Sequence, residues 1–123
     1  MAILQYASGT ESVTTSSEWS LLTDSSSGTQ STAVGVFQAF LDLRNLTAST
    51  SNGTDVFEFR VYELITTGST KGLVYSARFA GPQGAPNWVS PSLVLMNGWD
   101  MTLKRISGTN ETIDWSIRQV STS

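Results

Sequence analysis

The chain contains no cysteine and no histidine. Without cysteine there are no disulfides and no thiolate metal sites. Without either residue, the usual nucleophile–base pairs and most transition-metal sites are excluded, and no cofactor is expected. Charge is also scarce. Only 14% of residues are Asp, Glu, Lys or Arg, and they sum to −3. A nucleic-acid partner would need clustered Lys and Arg to meet its phosphates, yet Lys104-Arg105 is the only adjacent basic pair. No stretch approaches the roughly 20 apolar residues of a membrane span. The opening MAILQYASGTES lacks the basic region and the long apolar run of a signal peptide. A protein that stays in the cytosol where it is made is the expectation.

What is present points to strands. The 123 residues suffice for one domain spanning 1–123 with its own core. Ser, Thr and Gly carry most of the polarity, which suits strands and turns better than helices. The clearest pattern runs from Gly98 to Val120. Trp99, Met101 and Leu103 alternate with Asp100, Thr102 and Lys104; Ile113, Trp115 and Ile117 alternate with Thr112, Asp114, Ser116 and Arg118. A period of two marks a half-buried strand. With a short Gly/Asn turn between them, the two runs are expected to form a hairpin. Pairing Leu103 with Trp115 keeps the apolar residues on one face. The same register sets Asp100 against Arg118 and Lys104 against Asp114.

Ile3 to Ala7 is a short apolar stretch, readable as a first strand or as an N-terminal arm over 1–10 that adds to a neighbouring subunit. A strand is expected around Glu18 to Leu22, followed by a solvated loop from Asp24. Thr32 to Leu43 carries apolar residues on both parities, which predicts a central strand covered on both sides. Ser51-Asn52-Gly53 is a turn signal. Asp55 to Ile65 and Gly72 to Ala80 alternate as a second hairpin, with Glu63 out of pattern at a rim or bulge. Glu58 and Arg60 should lie on a solvated face. Pro91 confines the Asn87–Met96 strand to an edge or a bulge. The tally is an all-β fold: a single antiparallel β-sandwich of jelly-roll type, about eight strands, and no substantial helix.

Little of this inventory carries chemistry. Asp100 and Asp114 share the outer face of the expected hairpin, but each has a basic partner there. A glycosidase pair would need a cleft and one raised pKa. No phosphate-cradling Gly loop or calcium-loop spacing occurs. The sequons at Asn45, Asn52 and Asn110 read as coincidence in a Thr-rich chain. Of four Trp residues, Trp99 and Trp115 have core parity, whereas Trp19 and Trp88 flank loops. For each of these two, packing or a subunit contact is the expectation, and an exposed ring would instead suit a sugar-stacking platform.

The segments NWVSPSLVLMNGWDMTL and IDWSIRQV, with the opening AILQYASGTESVTTSSEWSL and the central FEFRVYE, resemble small β-sandwich virion proteins of tailed bacteriophages. The resemblance implies a capsid decoration (cement) protein. Such a protein is typically a homotrimer on the outer shell, bound to the major capsid protein lattice and made in the host cytoplasm. It brings no individual functional residues. On this reading, Ile3, Leu4 and Tyr6, with Trp19 and Trp88, are the expected partner contacts. A carbohydrate-binding sandwich module is the alternative.

Overall fold

The computed structural model describes residues 2–13, 18–22, 31–47, 53–66 and 69–121. The loop expected from Asp24, up to residue 30, and the Ser51–Asn52 part of the turn lie outside them. Among the described residues nine strands follow one another: β1 (Ala2–Val13), β2 (Glu18–Ser20), β3 (Gly35–Asp42), β4 (Val56–Glu63), β5 (Gly72–Ala80), β6 (Asn87–Val89), β7 (Leu93–Leu95), β8 (Trp99–Ser107) and β9 (Glu111–Ser121). No helix occurs among the described residues. The first sheet runs β1-β9-β3-β6, with β7 also pairing β3; the second runs β2-β8-β4-β5. All pairings are antiparallel. The expected β-sandwich is therefore the fold.

The core is the set of inward residues that the alternation marks out. Phe37, Ala39 and Leu41 from β3 meet Phe57, Phe59 and Val61 from β4, with Trp99, Met101 and Leu103 and with Ile113, Trp115 and Ile117. At one end Phe37 and Trp99 pack at 4.7 Å between ring centroids, and the Trp99 indole donates to the carbonyl of Ala33 at 3.0 Å. The β4–β5 hairpin forms as its pattern predicts, Phe57 opposite Phe79 and Phe59 opposite Ala77. Pro91 splits the strand at the far edge into β6 and β7. Ser90 bridges the break: its amide donates to the Ala39 carbonyl, and its hydroxyl accepts from the Ala39 amide, each at 2.9 Å.

The hairpin expected between β8 and β9 does not exist. β8 lies between β2 and β4 in one sheet, and β9 between β1 and β3 in the other. Apolar parity is the same whether two strands sit side by side or face each other across a core, so alternation alone cannot separate a hairpin from an arch. The expected ion pairs vanish with the register. Asp100 is fully buried and accepts from the Ser20 hydroxyl at 2.7 Å. Arg118 stacks on Phe40 instead, and Asp114 accepts from Thr10 Oγ1 at 2.6 Å.

The arch is held by Asp55. This carboxylate, fully buried, accepts from the amide and hydroxyl of Thr47 and from the amide and hydroxyl of Thr109, at 2.9 to 3.2 Å. Burial alone would raise its pKa. The Thr109 amide, the Glu111 carboxyl and the Thr47 donors outweigh that and hold it below the ordinary carboxylate value. Glu111 moves the other way: burial and the neighbouring Asp55 carboxyl raise it. A lowered folded-state pKa gives Asp55 a stabilising contribution that disappears as pH falls through that value. The raised value of Glu111 means stability present in acid and lost as pH rises through it. Glu111→Gln is therefore expected to stabilise the fold at about pH 7 and to be close to neutral at about pH 4. A gain of about 0.5–1 kcal/mol is the expected size. Thermal melts at the two pH values check it, and equal shifts at both would refute the assignment.

The outer face of the second sheet is a polar ladder, more buried than a solvated face. Registers place Glu18, Lys104, Glu58 and Arg78 in one cross-strand row of alternating sign. Glu58 is buried and binds both Arg60 and Arg78, the latter at 3.0 Å. Burial would raise Glu58, but the two guanidiniums hold it below its ordinary value. Arg60 also donates to Tyr62 Oη and reaches Glu18 at 3.5 Å. Thr102, fully buried, donates to Glu18. Glu63 is buried just past a register shift at Val61/Tyr62, where it accepts the Met96 amide at 2.7 Å. Its place past a bulge follows the expectation, and it caps the turn into β8 by accepting the Met96 and Asn97 amides.

Candidate interaction surface

The outer face of the first sheet differs in kind. Register places Ile3 of β1 beside Val120 of β9, Val120 beside Val36 of β3, and Val36 beside Val94 of β7. Four branched aliphatic side chains thus form one row across four strands. Ile3 is 73% exposed and Val94 74%. The residues just past the last β3–β7 pair, Val34 and Met96, are exposed as well. Monomeric proteins rarely leave such residues contiguous unless something covers them.

The row has a polar border. Gln5, Arg118 and Gln38 line up next to it, and the Arg118 guanidinium carbon sits 3.8 Å from the centroid of the Phe40 ring. Shallow depressions of about 230 Å³ and 110 Å³ flank that stack. The larger is walled by Phe40, Asp42, Asn87, Asp114 and Arg118; the smaller by Ile3, Val36 and Val120. Further along, Thr10, Asp114, Asp42 and Asn87 form an oxygen-rich row. Arg44 binds Asp42 at 2.8 Å, and that hydrogen bond lowers the Asp42 pKa. Among the described residues no group of three or more acidic side chains is placed to hold a metal ion.

The expected contact residues distribute unevenly. Ile3 lies on the apolar row, and Leu4 beside it is half exposed at 49%. The stretch that contains them is a first strand in this structure, paired to β9 from Ala2 to Val13. Tyr6 occupies the bulge in that pairing, with its ring 5.4 Å from Phe37 and 5.7 Å from Trp99 and its hydroxyl 2.7 Å from Ser31 Oγ. It pins β1 to the core more than it faces outward.

Trp19 and Trp88 are not free platforms. Both pack against the core, because each lies on the inward parity of its strand, opposite Leu103 and Leu41 respectively. Trp88 meets Phe79 at 4.9 Å and Phe59 at 5.5 Å, both edge-on. Asp100 and Asp114, considered as a pair, belong to different sheets.

Arg118 lies on the outer face as expected, stacked on Phe40, whereas Val36, Phe40, Val94 and Val120 were missed as surface residues. Their signal was present: apolar residues on both parities of 34–43 and of Val120. It reads equally well as a strand covered on both sides, and no described segment covers this one. Comparison with protein-family models, with curated proteins and with solved structures finds no match to this chain.

Proposed function

We propose that this chain is a structural virion protein of a tailed bacteriophage, one that binds the outer surface of the capsid and stabilises the shell by bridging neighbouring capsomers. The observation that carries the reading is the outward row Ile3–Val120–Val36–Val94, half-buried in its middle and exposed at Ile3 and Val94, with its Arg118 border. Burying it against a partner removes apolar area from water at about 25 cal/mol per Å². A bridging protein stabilises a lattice through that area and through mass action, with no reacting group needed. The resemblance of the sequence to decoration proteins supports the same partner, the major capsid protein lattice. Among the described residues no helix is long and apolar enough to cross a membrane.

Co-sedimentation with purified capsids tests this directly. Ile3→Glu and Val94→Glu each place a charge on an exposed site, so the fold is expected to survive with an unchanged melt. Each is expected to weaken capsid association at least about tenfold, since a buried unpaired charge costs well over 1.4 kcal/mol. Undiminished sedimentation of the double variant would remove the face from the mechanism. Failure of the wild-type protein to sediment with capsids would remove the mechanism itself.

A further inference from the structure

The four sheet edges are not alike. β2 ends the second sheet with three residues, and β6 and β7 end the first with three each, broken at Pro91. Short strands and prolines are the usual protection of an edge. β5 is longer, but it carries exposed Arg78 and a register shift across from Val61/Tyr62. β1 is the longest edge strand, twelve residues, and among the described residues nothing pairs with its second side. It has no proline and no lysine.

Charge singles out β1 further. Its only charged residue is Glu11, whose side chain points into the sandwich and is 3% exposed. A chain of net charge −3 would ordinarily repel its own copy. Along this edge there is no exposed charge to do so. Past the bulge at Tyr6, the run Ala7–Val13 pairs with β9 without interruption. Its outward side chains are Ser8, Thr10 and Ser12, and its inward ones Ala7, Gly9, Glu11 and Val13, by register with β9.

We infer that the Ala7–Val13 edge pairs antiparallel with the same edge of a second copy, about a two-fold axis at Thr10. That register sets Ser8 against Ser12 of the mate and Thr10 against its own equivalent, a Ser/Thr ladder of the kind that stabilises cross-strand neighbours. It also sets Glu11 against Gly9 of the mate, so the two buried carboxylates are not opposed. A register centred on Glu11 would oppose them directly. Even spacing keeps every inward residue on the core side of the joined sheet. The contact is isologous and closes at two copies. Both apolar rows then face the same way on one continuous sheet. The inference rests on the edge and not on the capsid reading; it puts a dimer in place of the homotrimer that the resemblance implies, and it stands if capsid binding fails.

Native mass spectrometry and equilibrium sedimentation of the full chain are expected to give a dimer. Ser8→Lys combined with Ser12→Lys sets lysines opposite one another across the axis, and is expected to give a monomer with unchanged far-UV circular dichroism. The absence of cysteine makes Thr10→Cys the only thiol in its variant. Antiparallel partners lie about 4.5–5.5 Å apart at Cα, within the roughly 4.4–6.8 Å that a disulfide spans. Mild oxidation is therefore expected to link T10C chains in pairs, and to leave Ser76→Cys, on the β5 edge, unlinked. Should T10C lose its fold along with the Thr10–Asp114 hydrogen bond, Ser8→Cys with Ser12→Cys makes the same test. A monomer at every concentration overturns the inference. So does a trimer, and so does preferential linkage at Ser76→Cys.

Discussion

Replacing Asp55 by alanine is expected to destabilise the fold by about 3 kcal/mol, because it orphans buried donors from two loops at once. The Thr47 and Thr109 amides both end on this carboxylate, and backbone bonds reinforce the same point. The Asp55 amide donates to the Thr47 carbonyl at 3.1 Å, and the Gly81 amide to the Asp55 carbonyl at 2.7 Å. For a domain of this size the loss corresponds to a melting point lower by about 12 °C. The pH dependence gives the result a second signature. Asp55 acts as a carboxylate with a lowered pKa, so the gap between wild type and variant is greatest at neutral pH. It closes as pH falls through the folded value. A gap that is flat with pH would mean that Asp55 acts by packing alone.

Gly108→Ala is expected to cost about 4 kcal/mol, combining left-handed backbone strain with overpacking. Gly108 has φ 92°, and a Cβ built on it would lie 2.3 Å from Asp55 Oδ1, 2.6 Å from its Cα and 2.8 Å from its backbone nitrogen. Two of those three atoms are main chain and cannot rotate away. Trimming the Asp55 side chain therefore does not rescue the glycine variant: D55A/G108A is expected to be less stable than either single change. Urea melts of the four proteins make the cycle. Recovery of stability in the double variant would show that the carboxylate alone makes the site tight.

These two residues mark where the sequence becomes hard to read. Individual strands were legible because alternation is local: DVFEFRVY and LVYSARF carry their inward set on their face. Pro91 was legible because a missing donor has one consequence in a sheet. What alternation could not reveal was the partner of β8 and of β9. A Gly-containing link between two amphipathic strands suits a two-strand ribbon and a sheet-to-sheet arch equally. The deciding carboxylate is more than fifty residues away in the chain, and Asp55 looked like the plain start of a strand.

The surface was legible in part for a related reason. Ile3 was found from a short apolar run at one end of the chain. Val36, Phe40 and Val120 were hidden in runs apolar on both parities, which sequence reads as doubly covered. Whether Trp19 and Trp88 are exposed was left open by the sequence. Nearness to a loop in sequence says nothing of which way a strand residue points, and both point inward.

The pairing of β1 with β9 has a consequence for how the molecule is made. Ala2 lies beside Ser121 and Val13 beside Glu111, so the first strand waits for the last. During synthesis the emerging β1 has no ladder to join, and β3 lacks its neighbour as well until β9 has cleared the ribosome. Long-range pairings of this kind place folding toward the slow, millisecond-to-second end for small domains. The edge of β1 is thus exposed on both sides until β9 has been made, and the first sheet closes only when that distant strand arrives.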